Sequence, residues 1–346
     1  MTVHVVLPAG VDDPDTPSGG NVYDRRVCRG LAALGVAVRE AAVAGAWPRP
    51  DQRARAELGR VLAEVPDGAV VLLDGLVACG VPDVLLPHAD RLRLAVLVHL
   101  PLADETGLPP ATAAELDAAE RRVLRAARAV VATSPSAARG LVRRHGLVAQ
   151  RVRTVAPGVD PAPLAPGTDG ASRLLCVASV TPRKGHDLLV QALAEVADRP
   201  WTCAFVGPAP QSAHVARVRG LIAEHRLGDR VALVGPLGGE PLDRAYAAAD
   251  LFVLPSRAET YGMVVAEALA RGVPVLASAV PDALGDAGPL LPPEDAGALA
   301  RALRRWFDDA GWRGELRASA RRRRAELSTW DETARALAEV LATLRG

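Results

Sequence analysis

The stretch LFVLPSRAETYGMVVAEALARGVPVLAS, residues 251–278, decides the fold class. Its apolar run Leu251–Leu254 is typical of a buried strand, and the pattern after the polar loop predicts a helix that begins close to Met263. A second apolar run, Val273–Leu276, predicts another strand. Strand, helix and strand in this order indicate a parallel α/β sheet, because two parallel strands need a crossover connection between them.

The same alternation extends along the rest of the chain. Further strands are predicted at Val3–Leu7, Val70–Leu73, Leu94–Val98, Ala129–Ala132, Arg173–Ala178, Thr202–Val206 and Val231–Val234. Helices are predicted at Gly20–Leu34, Val77–Leu86, Ala111–Ala127 and Pro135–Arg144, and others are predicted to begin near Gly185, Gln211 and Leu242. The alternation stops between Val155 and Ser172, where four prolines and three glycines favour turns and a linker.

The length of 346 residues is about twice that of a common single domain. We therefore predict the α/β fold class with two Rossmann-like α/β/α domains, residues 1–165 and 166–328, that face one another across a cleft. Residues 329–346 contain an amphipathic stretch, which predicts a C-terminal helix that packs back on the first domain. In this architecture ligands bind at the carboxyl ends of the strands.

The composition narrows the function classes. The formal net charge is +1 and the arginines are spread along the chain, so the sequence gives no case for a nucleic-acid partner. No apolar run approaches the roughly 20 residues that span a bilayer, and the N-terminus lacks the features of a signal peptide. We therefore expect no transmembrane segment and a cytoplasmic location.

Cysteine and the basic residues add three expectations. The cysteines lack the close pairing of zinc or redox motifs, so we expect them to be buried, reduced thiols. They are Cys28, Cys79, Cys176 and Cys203. The run Arg321–Arg324 favours an exposed helix face, and contact with an anionic membrane or partner stays open as the alternative. Lys184 is the only lysine in the chain, which makes its position informative.

Two glutamates flank the helix start at Met263. Glu259 lies in the preceding loop, and Glu267 lies within the predicted helix. The loop contains Gly262, and the first N–H groups of the helix favour an anion such as a phosphate. Because carboxylates accept hydrogen bonds from paired hydroxyls, the pattern favours a ligand that carries both phosphate and sugar. An acid at a helix start plus a solvated helix glutamate is the alternative interpretation.

A second polar turn follows the predicted strand Arg173–Ala178. It places Arg183 and Lys184 directly before the helix start near Gly185. Two cations beside a helix start suit a diphosphate, because they neutralise the charge that builds up on a leaving group. The turn therefore predicts an anion site, with a chance placement of the lysine as the alternative.

The first domain offers weaker signals. Gly19 and Gly20 let the backbone approach a ligand closely, but they do not form the dinucleotide-binding fingerprint. His99 follows the predicted strand Leu94–Val98, where it can bond a sugar hydroxyl or stabilise charge, or serve as a structural histidine. The sequence Asp13-Pro14-Asp15 matches the Asp-x-Asp pattern of metal-bound diphosphate sites, but it precedes the glycine turn, and we predict no metal site.

Together these stretches resemble the retaining, metal-independent glycosyltransferases of family four, the glycosyl transferases group 1, which have the GT-B fold. The Glu259 and Glu267 pair within Pro-Ser-x-x-Glu-x-Tyr-Gly-Met…Glu-Ala-x-Ala-x-Gly-x-Pro-Val is similar to the signature of that family. Residues 182–189, PRKGHDLL, match its other hallmark, and residues 157–160, PGVD, resemble its interdomain turn. The resemblance covers most of the second domain and scattered turns of the first.

The resemblance implies a nucleotide-diphosphate sugar as donor, with a slight preference for a UDP-sugar, and no cofactor or metal ion. It implies that His99, Lys184 and Glu259 are catalytic, with His99 near the transferred sugar, Lys184 on the diphosphate and Glu259 on the sugar hydroxyls. In this family the leaving phosphate assists the incoming acceptor on the same face, so no protein nucleophile is required.

The donor-binding residues that the resemblance implies are Gly19, Gly20, Arg183, Lys184, Glu259, Tyr261, Gly262, Met263 and Glu267. Glu267 would bond the ribose hydroxyls, Gly20 would lie beside the phosphates, and the backbone of residues 261–263 would contact sugar and phosphate. Many relatives carry an arginine where this chain has Ser179, so either Arg183 compensates or the donor binds more weakly.

The acceptor is not specified by the sequence. The resemblance implies transfer of a hexosyl group to a small molecule or lipid, and it leaves open a peripheral membrane contact and the oligomeric state. Two alternatives remain: a sugar-nucleotide epimerase of the same fold, and a non-catalytic homologue that binds nucleotide sugars. The retained glutamates and cations argue against the second, and the missing dinucleotide fingerprint argues against a nicotinamide oxidoreductase.

Overall fold

The computed structural model describes residues 1–13 and 18–345. The chain forms two compact units, one made of Met1–Gly158 together with Ser328–Gly346 and the other of Val159–Leu327. Each unit contains one six-stranded sheet. None of the helices in the described part of the chain has the length and apolar character needed to cross a bilayer.

The first unit is built on a parallel sheet. Its strands are β1 Thr2–Pro8, β2 Ala37–Val43, β3 Val70–Asp74, β4 Arg93–Val98, β5 Ala129–Ala132 and β6 Val152–Thr154. The helices between them are α1 Gly19–Ala33, α2 Gln52–Glu64, α3 Gly75–Ala78, α4 Pro82–Leu85, α5 Pro110–Ala126 and α6 Pro135–His145. The strand order is β2-β1-β3-β4-β5-β6, with every pair parallel. Strands β3 and β5 are buried along their whole length, as is typical of parallel strands covered by helices on both faces.

The second unit repeats this architecture. Its strands are β7 Arg173–Val177, β8 Thr202–Val206, β9 Val231–Gly235, β10 Leu251–Leu254, β11 Val275–Ser278 and β12 Leu290–Leu291. Its helices are α7 His186–Ala194, α8 Ala213–Glu224, α9 Gly239–Ala247, α10 Met263–Ala270, α11 Pro281–Leu284, α12 Ala296–Asp308 and α13 Ala310–Arg324. The order is β12-β11-β10-β7-β8-β9, again parallel throughout.

The last helix, α14 Trp330–Ala342, belongs to the first unit. It begins at a capping box in which Thr329 and Glu332 each bond the backbone N–H of the other. Leu337 lies in the same buried core cluster as the apolar face of α1. The two helices approach so closely that a Cβ added at Gly30 would lie 2.4 Å from the Cβ of Ala334, so glycine is required at this crossing.

The division between the units follows Gly158, seven residues before the predicted boundary at 165. The segment after Gly158 is bonded to the second unit, since the N–H of Ala165 donates to the Arg271 carbonyl at 2.8 Å and that of Gly167 to the Ala247 carbonyl at 2.9 Å. The buried carboxylate of Asp250 accepts further N–H groups from this segment. The turn-rich segment is therefore packed on the second unit and is not a free linker.

Several element predictions were wrong. The edge strands β2, β6 and β12 were not predicted, and neither were α2, α11, α12 and α13. The single helix predicted at Val77–Leu86 is instead the pair α3 and α4, because Val81, which precedes Pro82, leaves the helical region with φ −133° and ψ 58°.

The arginine run at the end of α13 is only half exposed. Arg321 and Arg322 are exposed. Arg323 donates to the Asp282 carbonyl at 2.8 Å, and Arg324 donates to the Ala162 carbonyl at 2.6 Å. Two of the four cations thus tie down backbone within the second unit.

Both sheets have a topological switch point, where neighbouring strands send their connections in opposite directions. It lies between β1 and β3 in the first sheet and between β7 and β10 in the second. Loops that leave the carboxyl ends of these strands separate from one another and leave a crevice, which is where open α/β sheets bind ligands.

Candidate active site

The loops after β7 and β10 meet at the switch point of the second sheet. The chain leaves β7 through Ser179 and forms the single-turn helix Pro182–Lys184 before α7 begins. At the next residue, Gly185, φ is +68°, and an added Cβ would lie 2.1 Å from the Pro255 carbonyl oxygen. A side chain there would clash with the second loop, so glycine permits the contact between the two loops.

This contact brings Glu259 to the two cations that the sequence predicted. Lys184 Nζ bonds Glu259 Oε1, and Arg183 Nη1 lies 3.5 Å from Oε2. Ser256 Oγ donates to Oε1 at 2.8 Å. Burial raises the pKa of Glu259, but the charges of Lys184 and Arg183 outweigh burial, and the pKa is lowered from its ordinary value. Glu259 is therefore a charged acceptor held between two cations.

A second ion pair fixes the loops, and the sequence analysis assigned it no role. Arg257 donates to both carboxylate oxygens of Asp187, at 3.1 and 3.0 Å, and also to the Pro182 carbonyl. Its own N–H donates to the Arg183 carbonyl at 2.7 Å. Asp187 was visible in the matched stretch PRKGHDLL, but only the fold shows that its partner comes from the other loop. The pair holds the backbone of the two cations in place.

The start of α10 has the geometry that an anion requires. Gly262 has φ +96°, and a Cβ added there would lie 2.5 Å from Val280 Cγ1, so the turn into the helix needs glycine. The helix begins at Met263, where the first N–H groups have no acceptor within the helix. Tyr261 is buried directly before this turn. The three residues thus form a rigid helix start beside Glu259.

Glu267 lies in the second turn of α10 and is half-buried. The hydroxyl of Tyr246 donates to its Oε2 at 2.8 Å. Burial raises the pKa of Glu267, while the Tyr246 hydrogen bond and Arg271 lower it, and the net direction is upward. Tyr246 was missed by the sequence analysis because it lies 21 residues away on another helix.

The predicted residues of the first unit also converge. Gly19 and Gly20 open α1, whose start is capped by Ser18 Oγ accepting from Asn21 N at 3.1 Å. A Cβ added at Gly20 would lie 3.1 Å from Cδ2 of His99, so the helix start lies against the imidazole ring.

His99 is paired with two acids that the sequence analysis missed. Its Nε2 lies 2.8 Å from Asp24 Oδ1, and Asp24 is 1% exposed. Burial alone lowers the pKa of His99, but Asp24 and Asp74 outweigh it and raise the pKa to about 9. Burial and the nearby Asp24 raise the pKa of Asp74 to about 7. Asp74 is the last residue of β3, a strand beside the switch point. This position at the carboxyl end of a strand is the signal by which the sequence could have identified it as a site residue.

Among residues 1–13 and 18–345, one group of side chains could hold a metal ion. It consists of Asp24, Asp74 and His99, whose ligand atoms all lie within 4.8 Å of one another. The distance of 2.8 Å between His99 Nε2 and Asp24 Oδ1 is that of a hydrogen bond, so a shared proton explains it without a metal ion. The absence of a metal site stays a prediction. Pro14 and Asp15 of the Asp-x-Asp pattern lie outside the described residues.

One cavity of the first unit lies away from these loops. It measures about 510 Å³ and is lined by Thr2, His4, Arg39, Asp67 and Val70 among others, at the amino ends of the strands in the first sheet. Ligands in open α/β sheets bind at the opposite, carboxyl ends of the strands. We therefore place the candidate site at the loops and not at this cavity.

Comparisons with known proteins identify the family. The sequence model described as "Glycosyl transferases group 1" matches residues 171–309. A relative from Catenulispora acidiphila, "D-inositol 3-phosphate glycosyltransferase 1", is 32% identical over 292 residues, which are 77% of this chain and 68% of the relative. The chain belongs to the glycosyl transferases group 1. The "D-inositol 3-phosphate glycosyltransferase" of Kineococcus radiotolerans is 34% identical over 254 residues, 64% of this chain and 58% of the relative.

The match to the curated relatives covers only part of their own length. The chain spans about half to two thirds of the length of the curated relatives it matches. Among solved structures, sucrose-phosphate synthase from Thermosynechococcus elongatus is 25% identical with a TM-score of 0.80, and the match covers 99% of both chains. HepE from Anabaena, crystallised with UDP and glucose, is 16% identical with a TM-score of 0.76 and covers 99% of this chain and 100% of its own. The predicted GT-B fold, with its two α/β domains, is confirmed.

Proposed function

We propose that the protein is a retaining glycosyltransferase that moves a hexosyl group from a nucleoside diphosphate sugar to a small-molecule or lipid acceptor without a metal ion. The observation that carries this proposal is the cluster of Arg183, Lys184 and Glu259 at the switch point of the second sheet. Arg183 and Lys184 are cations beside a helix start, and cations of this kind bind a diphosphate. The carboxylate itself accepts hydrogen bonds from sugar hydroxyls.

The donor-binding roles follow from this cluster. The helix start at Met263 and the cations of Arg183 and Lys184 bind the diphosphate, and Glu267 binds the ribose hydroxyls. UDP is the proposed nucleotide; HepE from Anabaena, which shares the fold, was crystallised with UDP. The cytoplasm is the proposed compartment, in keeping with four cysteines that are free and buried.

The proposed reaction needs no nucleophile from the protein. The acceptor oxygen bonds to the anomeric carbon as the bond to the β-phosphate oxygen breaks on the same face, and the acceptor proton passes to the departing phosphate. Lys184 neutralises the charge that develops on that phosphate, and Glu259 orients the sugar. His99, kept cationic by Asp24, is proposed to contact the transferred sugar.

D-Inositol 3-phosphate is the first acceptor to test. The curated relatives are named for transfer to this molecule, although the chain spans only part of their length. It is a phosphorylated polyol, and its hydroxyls and charge fit a small-molecule acceptor.

A thermal-shift titration with UDP, GDP, ADP and TDP in EDTA tests the donor site. A ligand that binds only the folded state raises the melting temperature by mass action. A selective rise for one nucleotide supports a metal-free diphosphate site. A shift that appears only with Mn²⁺ or NAD contradicts the proposal.

Turnover is tested with the matching sugar nucleotide and D-inositol 3-phosphate. The expected product keeps the anomeric configuration of the donor, which the proton coupling constants in NMR report. An inverted product contradicts the retaining mechanism. Release of an epimerised sugar nucleotide without transfer indicates the epimerase.

A further inference from the structure

Tyr246 is a fully buried residue whose hydroxyl contacts Glu267, the residue proposed to bind the ribose. It lies in α9, is 0% exposed, and donates its hydroxyl to Glu267 Oε2 at 2.8 Å. In the described part of the chain, Tyr246 is the one side chain that hydrogen-bonds the Glu267 carboxylate. The position of that carboxylate therefore depends on the Tyr246 hydroxyl.

The ring that carries this hydroxyl is held on two sides. It stacks on Phe252 of β10 with centroids 6.0 Å apart and planes at 23°. The guanidinium of Arg271 lies 4.6 Å from the ring centroid and donates to the backbone carbonyl of Glu267 at 3.0 Å. Asp243 pairs with Arg271 in turn. Because the ring is fixed, the hydroxyl is a rigid anchor rather than a mobile contact.

A glutamate that must grip two neighbouring hydroxyls gains from such an anchor. Ordering an unanchored Glu side chain costs conformational entropy, and this cost weakens the binding of the ligand. The hydrogen bond also acts on charge, since burial raises the pKa of Glu267 and the Tyr246 hydroxyl lowers it. An ionised carboxylate is the stronger acceptor for a diol.

We infer that Tyr246 is a positioning residue that holds the Glu267 carboxylate for the two ribose hydroxyls, and so makes the site selective for ribonucleotides over nucleotides that lack those hydroxyls. This inference rests on the proposed function, because it takes Glu267 as the residue that binds the ribose. It adds a residue that does not touch the ligand and a specificity that follows from its geometry.

The test compares Tyr246→Phe with the unmodified protein on two ligands. The substitution keeps the ring and its contacts with Phe252 and Arg271, and it removes only the hydroxyl. Calorimetry gives Kd for a nucleoside diphosphate and for its 2′,3′-dideoxy form, in the uracil, guanine or adenine series that the thermal-shift panel selects. We expect the variant to bind the ribonucleotide about three- to tenfold more weakly and the dideoxy form equally well, within about twofold.

Tyr23→Phe is the matched control. Tyr23 is also fully buried, and its hydroxyl donates to the Val155 carbonyl at 3.0 Å, but it lies in the first unit. The Tyr246 hydroxyl, besides its bond to Glu267, lies 3.4 Å from the Val264 carbonyl oxygen. We expect this variant to bind both ligands as the unmodified protein does. The ratio of the two dissociation constants, measured on one sample, does not depend on the fraction of protein that is folded.

The outcomes separate this inference from the proposed function. Equal weakening of both ligands by Tyr246→Phe means a structural role only and overturns the inference. Unchanged affinity in Tyr246→Phe, with a loss of one to two decades in Glu267→Ala, overturns the inference and leaves the proposed site in place. Unchanged ribonucleotide affinity in Glu267→Ala overturns the ribose assignment itself, and the inference falls with it.

Discussion

The switch points of the two sheets carry acid–base clusters of opposite balance. In the second unit, Arg183 and Lys184 surround one carboxylate, Glu259, and lower its pKa. In the first unit, two carboxyls surround one imidazole, His99, and raise its pKa to about 9. The same topology thus gives one site a surplus of cations and the other a surplus of acids. A surplus of cations suits an anionic ligand, whereas a surplus of acids serves to keep a single cation charged.

Removing the lysine from the cationic cluster has the largest expected effect. Lys184→Ala should lower kcat by about 10²–10³-fold, because the charge on the leaving diphosphate is greatest in the transition state. The KM for the donor should change much less. Steady-state kinetics with a labelled sugar nucleotide measures both, and Lys184→Arg shows whether any cation suffices. A higher Kd with unchanged kcat would show that the lysine binds substrate and transition state equally.

Neutralising the acid of the same cluster should split binding from turnover. Glu259→Gln removes the negative charge between the two cations, so the nucleoside diphosphate alone should bind about three- to tenfold more tightly. Transfer should nevertheless fall by at least about tenfold, because the sugar loses a charged acceptor. Calorimetry and turnover assays on one preparation measure the two changes. Weaker binding of the nucleoside diphosphate would contradict the charge balance described for this cluster.

The acidic cluster is broken by Asp24→Asn. The pKa of His99 is raised, so its charge stabilises the folded state fully below pH 6.5 and this contribution is lost as the pH rises through about 9. The variant should lower this pKa by about one to three units. NMR titration of the histidines measures the change, with His99→Gln to assign the signal.

The control for this change is Asp83→Asn, which removes an ion pair with Arg55 at the surface of the same unit. It should leave the His99 titration unchanged. A His99 pKa that is the same in Asp24→Asn and in the unmodified protein would show that Asp24 does not keep the imidazole charged.

The smallest effect is expected from adding charge to the cationic cluster. Ser179→Arg adds the cation that the family resemblance leads one to expect at this position, and it should tighten nucleoside diphosphate binding by about three- to tenfold. Ser179→Gln, which adds length without charge, is the control. The gain should shrink at high salt, since screening weakens charge interactions. An equal gain from both variants would attribute the effect to packing rather than charge.

The two clusters also show what the sequence could and could not predict. Strands β8 and β10 and the start of α10 were predicted at their observed positions, because buried apolar runs and a glycine before a helix are local signals. The edge strand β2 was missed because its residues are mostly exposed or half-buried and lack an apolar run. Strands β6 and β12 were missed because they have only three and two residues.

The partners within each cluster could not be predicted from spacing. Lys184 and Glu259 are 75 residues apart, and so are Asp24 and His99. Only the strand order brings these loops together, and pattern analysis of one sequence does not fix strand order. Local sequence patterns and the family resemblance both pointed to Lys184 and Glu259. The roles of four other residues emerged only from the fold: Asp24, Asp74, Arg257 and Tyr246.

The placement of α14 determines when each half of the molecule can be completed during synthesis. Residues 159–327 are one continuous segment, so the second unit has its whole sequence as soon as that segment has left the ribosome. The first unit must wait for the helix that covers Tyr23 and the apolar face of α1, and that helix is encoded after the whole second unit. A chain cut after Leu327 is therefore expected to keep a folded second half and to expose a hydrophobic surface on the first, which would mark the truncated product for aggregation or proteolysis.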